Sequence, residues 1–358
     1  MLSFLLGLLS YGFRLKTLFS TLRLSVSLVS GLEKQTGETI SVLFVGGKRF
    51  PVFLSDLIFS ERPMIHHKGN IFICNIKDLK KRYADKVDVV VINCDQFYQR
   101  FLQQDGYFVI PHMVDMVLDT SKSLDDLIMD LPHSTQEDIK KIRKEQFSFE
   151  ITSDIDKLNM FCHEMYLPML KNRIGETDMF TADLIFFRFL KELGYQLMMI
   201  TYKGKEVSGV SFKRQDNALS LKYTGVLHGD LDLIKKGALT AFYYFFMVYA
   251  TNLKINKVDF QGVRPLFNDG LFQYKRKWGM KVGSYNSVPD IFGLKISNNE
   301  SEPLRQFLIH NPFIGMNEKN ELIGFVFVDK KTFNDAMRNQ CEKRYQTPGV
   351  NKVRFIKL

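Results

Sequence analysis

The chain has 358 residues and a formal net charge of +10. This length is too great for one small core, so the sequence predicts two domains or one duplicated unit. Hydrophobic residues make up 45% of the sequence and charged residues 25%, a globular composition that excludes disorder on a large scale. The net positive charge attracts phosphate groups of every kind. Nucleic acid, a cofactor pyrophosphate, a sugar nucleotide and a lipid headgroup therefore all remain as possible partners.

The four cysteines bear on the cellular compartment. Cys74, Cys94, Cys162 and Cys341 lie far apart, and no pair has the C-x-x-C spacing. This spacing argues against a zinc site and against a disulfide framework, so we predict that the protein holds no metal. Free thiols suit a reducing compartment, which predicts a cytoplasmic location.

The excess positive charge is concentrated in two segments. Residues 254–281 hold seven Lys and Arg against two acids, and residues 329–358 hold eight against three. Each segment is a basic patch that attracts phosphate in any form, so charge alone does not choose among the partners.

Residues 1–32 form an apolar segment interrupted by Arg14, Lys16 and Arg23. Its longest uncharged run, residues 1–13, is too short to span a bilayer. Polar residues recur at helical spacing and leave a wide apolar face, which predicts an amphipathic helix. Two interpretations remain open: residues 1–31 make peripheral contact with the inner face of the cytoplasmic membrane, or the helix packs on the protein's own core.

After residue 31, short apolar runs alternate with helical ones. Four runs are predicted as strands: "ISVLFVG" (40–46), "NIFICN" (70–75), "VDVVVINC" (87–94) and "YFVIPHMVDMVLD" (107–119). "KDLKKRYA" and "QFYQRFLQQD" are predicted as helices between them, followed by helices near 124–131 and 135–144 and a strand at 147–151. These elements predict a first lobe over residues 33–149.

The second half repeats this theme. The long helix "DIDKLNMFCHEMYLPMLKNR" and a helix near 181–193 precede three strands, "YQLMMITYKG", "KEVSGVSFKRQD" and "ALSLKYTGVL". The helix "LIKKGALTAFYYFFMVYATNLK" is so apolar that we expect it to be buried on most sides. The strand "KVDFQG", a short basic helix and a strand near "KVGSYNSV" follow. We predict a second lobe over residues 150–296 and a basic C-terminal extension, residues 297–358, that packs on the lobes.

This order of elements resembles the GNAT acyltransferase fold. Three stretches are similar to its FemAB-like branch and the related acetyltransferases: "SKSLDDLI…HSTQEDIKKIRK", "FCHEMYLPMLKNRIG" and "DFQGVRPLFNDGLFQYKRKWG". The resemblance covers roughly residues 87–288. It implies an α/β protein with two GNAT-like lobes, the first degenerate, whose mixed and largely antiparallel sheets are flanked by helices around a central cleft.

The resemblance also implies the chemistry. GNAT enzymes bind acyl-CoA where two central strands splay apart, and hold its pyrophosphate at the start of the next helix with an R/Q-x-x-G-x-G/A turn. Here that position reads "IKKGALTAF", which lacks the full motif and leaves Lys235, Lys236 and Gly237 as the cofactor-binding candidates. Acetyl-CoA is the expected co-substrate.

The basic helix near the end of the second lobe supplies substrate-binding candidates. Lys275 occupies the position where the resemblance implies a lysine that meets substrate phosphate, with a solvated charge as the alternative. Arg264 is a second candidate ligand for phosphate or carboxylate, and Arg173 a candidate contact to the acceptor. Asn268 is a further candidate, although Asn-x-Gly favours a turn-forming role.

Two residues are candidates for catalysis. Asp259 ends a predicted strand and is placed to take the proton of the amine, with capping of the following loop as the alternative. Tyr223, on the strand implied to splay, is a candidate proton donor. Trp278, the single tryptophan, is expected to have a packing role, and His228 to be a turn residue.

Three functions stay open from the sequence. The first is an N-acyltransferase, with acetyl-CoA as a phosphorylated donor and an amine acceptor on an amino sugar, a cell-envelope precursor or a small metabolite. The second is an aminoacyl-tRNA-dependent peptidyltransferase of the FemAB kind, which alone would need tRNA as a partner. The third is a non-catalytic, membrane-associated relative.

Overall fold

The structure is a computed structural model that describes residues 22–83, 86–174, 190–283, 285 and 289–358. The chain divides into two compact units. The first unit comprises Met1–Val114, Val263–Phe272 and Ser284–Leu358, and the second comprises Asp115–Gly262 and Gln273–Gly283. Each unit is built on its own β-sheet.

The elements of the described chain are numbered here in chain order. The strands are β1 (Arg23–Leu32), β2 (Thr39–Gly46), β3 (Met64–Phe72), β4 (Val89–Asp95), β5 (Phe108–Pro111), β6 (Val114–Asp119), β7 (Phe147–Thr152), β8 (Tyr195–Tyr202), β9 (Lys205–Gln215), β10 (Ala218–Val226), β11 (Lys257–Val263), β12 (Lys281–Val282), β13 (Asp290–Ile296), β14 (Phe313–Met316), β15 (Leu322–Val328) and β16 (Val353–Lys357). The helices are α1 (Val52–Ile58), α2 (Ile76–Tyr83), α3 (Gln99–Gln104), α4 (Leu124–Met129), α5 (His133–Lys144), α6 (Ile155–Met160), α7 (Leu167–Ile174), α8 (Leu231–Lys236), α9 (Ala238–Asn252), α10 (Gly270–Lys277), α11 (Glu302–His310) and α12 (Asp335–Tyr345). A π-helical turn, Phe161–Tyr166, joins α6 to α7.

The first unit contains a nine-stranded mixed sheet in the order β16-β15-β14-β5-β13-β4-β2-β1-β3. Strands β2 and β4 pair in parallel near its centre, and β13 pairs antiparallel with β4 and β5. The strands β2 and β4 are buried on both faces, which explains their continuous apolar sequences. Apolar residues of α1 and α11 pack on one face and complete a core with this sheet.

The second unit contains a seven-stranded mixed sheet in the order β12-β6-β11-β10-β9-β8-β7. Strands β7 to β10 form an antiparallel meander, and β11 then pairs in parallel with β10. The connection from β10 to β11 runs through α8 and α9, as a parallel pair requires. Nine of the fifteen residues of α9 are buried, which confirms the predicted burial of this helix. The predicted class, α/β with two mixed sheets flanked by helices, is therefore confirmed.

The predicted N-terminal helix is wrong for the part of it that the structure describes. Residues Arg23–Leu32 form β1, which pairs antiparallel with both β2 and β3. Leu24 and Val26 are buried in the sheet. The alternation "LSVSL" (24–28) has the period of a strand. The helix prediction was wrong here because it extended the helical spacing of residues 3–21 into this segment. Residues 1–21 lie outside the described part of the chain.

The boundaries of the two units also differ from the predicted lobes. Residues 297–358 are not an extension, because β14, β15 and β16 are strands of the first sheet. Residues 115–149, predicted in the first lobe, belong to the second unit. Both differences come from strand pairing between distant parts of the chain, which local periodicity does not encode. The helix predicted near 181–193 lies mostly outside the described residues.

Candidate active site at the splayed strands of the second unit

The parallel strands β10 and β11 separate part-way along their length. They pair only from Ala218↔Lys257 to Ser220↔Asp259, although β10 continues to Val226 and β11 to Val263. The pairing of β10 with β9 is irregular just beyond this point, between Leu221 and Thr224. The sheet is thus open at the carboxyl ends of two adjacent parallel strands, which is where α/β sheets bind ligands.

Asp259 is the last residue of β11 that pairs with β10. Its carboxylate accepts a hydrogen bond from the backbone N–H of Gln261 at 2.8 Å, which is the loop-capping contact that the sequence allowed for. Burial raises the pKa of Asp259, and the negative charge of Asp115 raises it further against the lowering effect of this hydrogen bond. A half-buried carboxyl with a raised pKa is a stronger base than an ordinary aspartate, which suits it to accept a proton.

Gln261 joins the two strands beyond the point where they separate. Its side-chain amide donates a hydrogen bond to the Ser220 hydroxyl at 2.9 Å, and its backbone has φ of +65°. A residue other than glycine in this left-handed region is uncommon, and such residues cluster at functional sites. The sequence reasoning missed Gln261, although a polar residue directly before glycine in "DFQG" was an available signal.

Lys275 does not have the solvent-facing position expected of a phosphate ligand. It is 5% exposed, and its ammonium donates hydrogen bonds to the carbonyl oxygens of Phe260 at 2.6 Å and Gln261 at 3.1 Å. Helix α10 turns this side chain toward β11, so the alternative of a solvated charge is wrong, and the predicted phosphate contact gains no support from these hydrogen bonds. These contacts hold the main chain of β11 where it carries the left-handed Gln261.

An aromatic cluster fixes the end of α10 against α9. Tyr243 of α9 stacks on Phe260 with ring centroids 5.0 Å apart and on Trp278 at 5.4 Å, and meets the edge of Tyr274 at 5.3 Å. The hydroxyl groups of Tyr274 and Thr240 lie 3.0 Å apart in a hydrogen bond. Trp278 is 1% exposed, so the expected packing role of the single tryptophan is what the structure shows.

The cofactor-binding candidates lie where α8 meets α9. Gly237 ends α8 with φ of +107°, a conformation that requires glycine, and also precedes the first turn of α9. Lys235 and Lys236 are exposed in the last turn of α8, and Lys235 forms an ion pair with Asp232 at 3.3 Å. No side chain caps the start of α9, so no capping side chain occupies its first backbone N–H groups.

Tyr223 lies in the irregular part of β10, and its ring is buried. The ring centroid is 4.8 Å from that of Tyr166, within the apolar cluster that the π-helical turn Phe161–Tyr166 forms with α6 and α7. Gly225 allows this turn to come close, because a Cβ there would lie 2.5 Å from the backbone of Met165. The contacts of Tyr223 are those of a packed core residue, and its predicted catalytic role gains no support from them.

The other candidates divide between the two units. Arg264 and Asn268 belong to the first unit. The amide of Asn268 donates to the carbonyl of His310 at 2.8 Å, a loop-holding contact that fits the turn-forming alternative. Arg173 lies in α7, and its side chain is outside the described residues. His228 has φ of +53° in a short turn after β10, as expected for a turn residue.

Two further properties concern the described residues as a whole. Among them, no group of three or more His, Cys, Asp or Glu side chains is placed to hold a metal ion. None of the helices in the described ranges has the length and apolar character needed to cross a membrane.

Comparisons with known proteins yield structural similarity alone. The sequence matches no protein-family model and no curated protein. A crystal structure of FemX is 13% identical, with a TM-score of 0.39 over 74% of this chain and 83% of that chain. The structure of L-PGS from Bacillus licheniformis is 11% identical, with a TM-score of 0.34 over 76% and 85%. A tandem GNAT protein from the clavulanic acid biosynthesis pathway is 9% identical, with a TM-score of 0.32 over 75% and 82%.

At these TM-scores the similarity carries no functional information. The fold class rests on the strand order and on the separation of β10 from β11. A meander, a helical crossover and a splayed parallel pair in this order form a GNAT-like arrangement, as the sequence resemblance implied.

Proposed function

We propose that the protein is an N-acyltransferase that transfers an acyl group, with acetyl-CoA as the donor, to an amine. The acceptor class is an amino sugar, a cell-envelope precursor or a small metabolite. The observation that carries this proposal is the half-buried Asp259 carboxyl, with its raised pKa, at the point where β10 and β11 separate. Acyl transfer to an amine needs such a group, because the attacking nitrogen must lose a proton.

The start of α9 is the proposed site for the donor's pyrophosphate. Gly237 lets the chain turn tightly into a fifteen-residue helix, whose first backbone N–H groups carry a partial positive charge. Lys235 and Lys236 add two exposed positive charges directly before this helix. These residues fit an anionic phosphate, although Ile234 stands where the GNAT motif has Arg or Gln, and Leu239 where it has a second Gly or Ala.

The acyl transfer follows from this placement. The amine nitrogen forms a bond to the thioester carbonyl carbon, the carbon–sulfur bond breaks, and CoA leaves as the thiol. In the proposed mechanism Asp259 takes the proton that the nitrogen loses and then gives it up again, so that the departing CoA thiolate is protonated to the thiol. The hydrogen bonds of Gln261 to Asp259 and Ser220 fix the carboxylate at the opening of the sheet, so that little reorganisation is needed during the reaction.

Calorimetric titration of the full chain distinguishes this proposal from the two alternatives. We expect heat of binding from acetyl-CoA and none from an aminoacylated tRNA mixture at the same ionic strength. Binding of charged tRNA without acetyl-CoA would instead favour the peptidyltransferase. Binding of neither would favour the non-catalytic relative, and would contradict the proposed donor site.

We also propose a cytoplasmic location, with peripheral membrane contact confined to residues 1–21. The structure describes free cysteines at all four positions, two of them buried, in keeping with a reducing compartment. Residues 23–32 are committed to the first sheet and are not available as a membrane anchor.

A further inference from the structure

A row of polar side chains crosses four adjacent strands of the second sheet. Register pairs place Asp259 of β11 beside Ser220 of β10, and Ser220 beside Lys213 of β9. Lys213 in turn pairs with Tyr195 of β8. Residues paired across neighbouring strands point to the same face of a sheet, so these four side chains share one face. All four are half-buried, so each keeps some exposure to solvent.

The row lies on the face of the sheet opposite α9. Phe212 and Phe260 each stand next to a member of the row in sequence, and successive side chains of a strand point to opposite faces. Their rings contact Phe246 and Tyr243 of α9, with centroids 5.3 and 5.0 Å apart. The donor site proposed at the start of α9 therefore belongs to the other face, and the row remains for the acceptor.

The two charged members of the row have opposite signs and stand apart. Two strand spacings separate Asp259 from Lys213, which is about 10 Å between their Cα atoms. The Lys213 ammonium lies 6.0 Å from the centroid of the Tyr195 ring, toward the end of the row away from Asp259. Burial raises the pKa of Tyr195, so its phenol stays neutral and does not balance this ammonium.

Lys213 makes no ion pair in the part of the chain that the structure describes. A half-buried ammonium without a counter-ion favours an anionic ligand. At the other end of the row, the Asp259 carboxylate favours a cation such as a protonated amine. Ser220 stands between the two and accepts a hydrogen bond from the Gln261 amide at 2.9 Å, so its own O–H is oriented to donate elsewhere.

We propose, on the basis of the acyl transfer proposed above, that this row binds the acceptor and that the acceptor is a zwitterion. Its amine lies at Asp259, and its anionic group, a carboxylate or a phosphate, lies at Lys213. The separation of the two protein charges requires several bonds between the amine and the anionic group, and glycine is too short to reach both. Lys213 is thus a residue that determines acceptor specificity.

The contribution of the anionic group is the first test. Hexylamine, 6-aminohexanoate and 6-aminohexyl phosphate are titrated calorimetrically into the full chain without an acyl donor. We expect at least one of the two zwitterions to bind about tenfold more tightly than hexylamine, because only the zwitterions carry a group for the Lys213 ammonium. The tighter of the two identifies the anionic group as carboxylate or phosphate. Equal affinities for all three ligands would overturn the proposal.

The separation of the charges is the second test. Affinity should rise from glycine through 4-aminobutyrate to 6-aminohexanoate, since the shorter ligands cannot meet both charges of a row about 10 Å apart. The same calorimetric titration measures this order. Glycine binding as tightly as 6-aminohexanoate would contradict the placement of the two ends.

A pair of variants on β9 tests the residue itself. Lys213→Gln should weaken the binding of 6-aminohexanoate about tenfold and leave that of hexylamine unchanged. Arg214→Gln is the matched control, since it removes the same charge one residue further along the strand, where the side chain is exposed and points to the opposite face. Melting temperatures confirm that both variants fold. Equal losses in the two variants would mean non-specific charge attraction and would contradict the site.

The failure of this proposal is distinguishable from failure of the proposed acyl transfer, because binding is measured without acetyl-CoA. Selective binding of the zwitterions, dependent on Lys213 but without release of CoA thiol, would support the acceptor site and contradict the acyl transfer. Thiol release with equal kcat/KM for hexylamine and both zwitterions would support the acyl transfer and contradict the zwitterionic acceptor.

Discussion

Lys275 places an ammonium group inside the second unit, next to the main chain of β11. Its two carbonyl acceptors, on Phe260 and Gln261, belong to the peptide groups directly before and after the left-handed Gln261 Cα. Charge-assisted hydrogen bonds of this kind are stronger than neutral ones, and a buried acceptor left without its donor is costly. The residue therefore positions the backbone that carries Asp259 and Gln261.

Replacing Lys275 with Met should destabilise the protein, because the two carbonyl groups lose their buried donor. We expect a loss of about 1–3 kcal/mol in the free energy of unfolding, measured by denaturant titration. Lys277→Met is the matched control, since Lys277 lies on the same helix and is exposed. Its effect should stay within about 0.5 kcal/mol. Equal stability of the Lys275→Met variant and the wild type would show that the buried contacts contribute nothing.

Asp259 should impart a pH dependence to stability. Its pKa in the folded protein is raised above the ordinary value of 3.8, so the unfolded chain releases this proton at lower pH than the folded protein does. Stability should therefore fall, relative to Asp259→Asn, as the pH rises from the unfolded-state pKa through the folded-state pKa. Denaturation curves of both proteins across this pH range measure the difference. If the free energy of unfolding of the wild type rises relative to that of Asp259→Asn over this pH range, the folded-state pKa of Asp259 is lowered instead.

The same residue should govern the pH dependence of transfer. The rate should increase with pH as the Asp259 carboxyl loses its proton, with a midpoint above that of an ordinary aspartate. The pH profile is measured as kcat/KM for acetyl-CoA. The Asp259→Asn variant should lack the rise in kcat/KM with pH that the wild type shows. If the same rise in kcat/KM with pH persists in the variant, another group accepts the proton.

At the scale of elements, α8 and α9 meet at Gly237 and form the proposed donor site. The double variant Lys235→Gln and Lys236→Gln removes two exposed charges, so we expect KM for acetyl-CoA to rise about tenfold with stability unchanged. Lys140→Gln and Lys141→Gln is a matched control on α5, where Lys140 also forms an (i, i+3) ion pair, with Glu137 at 2.7 Å. If both double variants raise KM for acetyl-CoA equally, Lys235 and Lys236 contribute only non-specific charge attraction, and α8 holds no donor site.

Strand β1 makes the N-terminal region testable by truncation. Deleting residues 1–21 should leave the protein folded, because β1 begins at Arg23. Deleting residues 1–31 should unfold the first unit, since β3 loses the strand that it pairs with and β2 keeps only its pairing with β4. Circular dichroism measures folding, and co-sedimentation with anionic liposomes measures membrane contact. Retained liposome binding after deletion of residues 1–21 would place the contact elsewhere.

The elements that the sequence predicted well have strong local patterns. The strands of the meander and helix α9 follow from alternation and from a long apolar run, which require no knowledge of partners. The pair of hydrogen bonds that links Asp259, Gln261 and Ser220 could be predicted only in part. Asp259 stood out by its position, whereas the contact of Gln261 with Ser220 joins residues 41 apart in sequence. The burial of Lys275 was hidden for the same reason, because nothing local distinguishes it from the exposed Lys277.

At the scale of the whole molecule, the chain passes between its two units four times. The segment "DFQGVRPLFNDGLFQYKRKWG", residues 259–279, contributes to both. Its Arg264 belongs to the first unit, while its Asp259, Lys275 and Trp278 belong to the second. The basic patch of residues 254–281 is thus divided between the two units.

The pairing of distant segments also explains what the sequence could not predict about the units. Strand β13 pairs with β4 and β5 across about two hundred residues of chain, as in Phe292↔Asn93 and Phe292↔Ile110. The last strands, β14 to β16, extend the same sheet. These pairings depend on the folded topology of the sheet, so no window of sequence contains them.

The most informative single experiment is the release of CoA thiol from acetyl-CoA, followed with a panel of amino sugars, aminoacyl envelope precursors and small amines. The wild type should release thiol in the presence of at least one amine and not in its absence. Asp259→Asn should lower this rate by roughly 10²-fold or more, since general base catalysis contributes about that much. Asp216→Asn, in the exposed turn before β10, should have the wild-type rate. Thiol release at equal rates by the wild type and Asp259→Asn would contradict the proposed active site at the splayed strands.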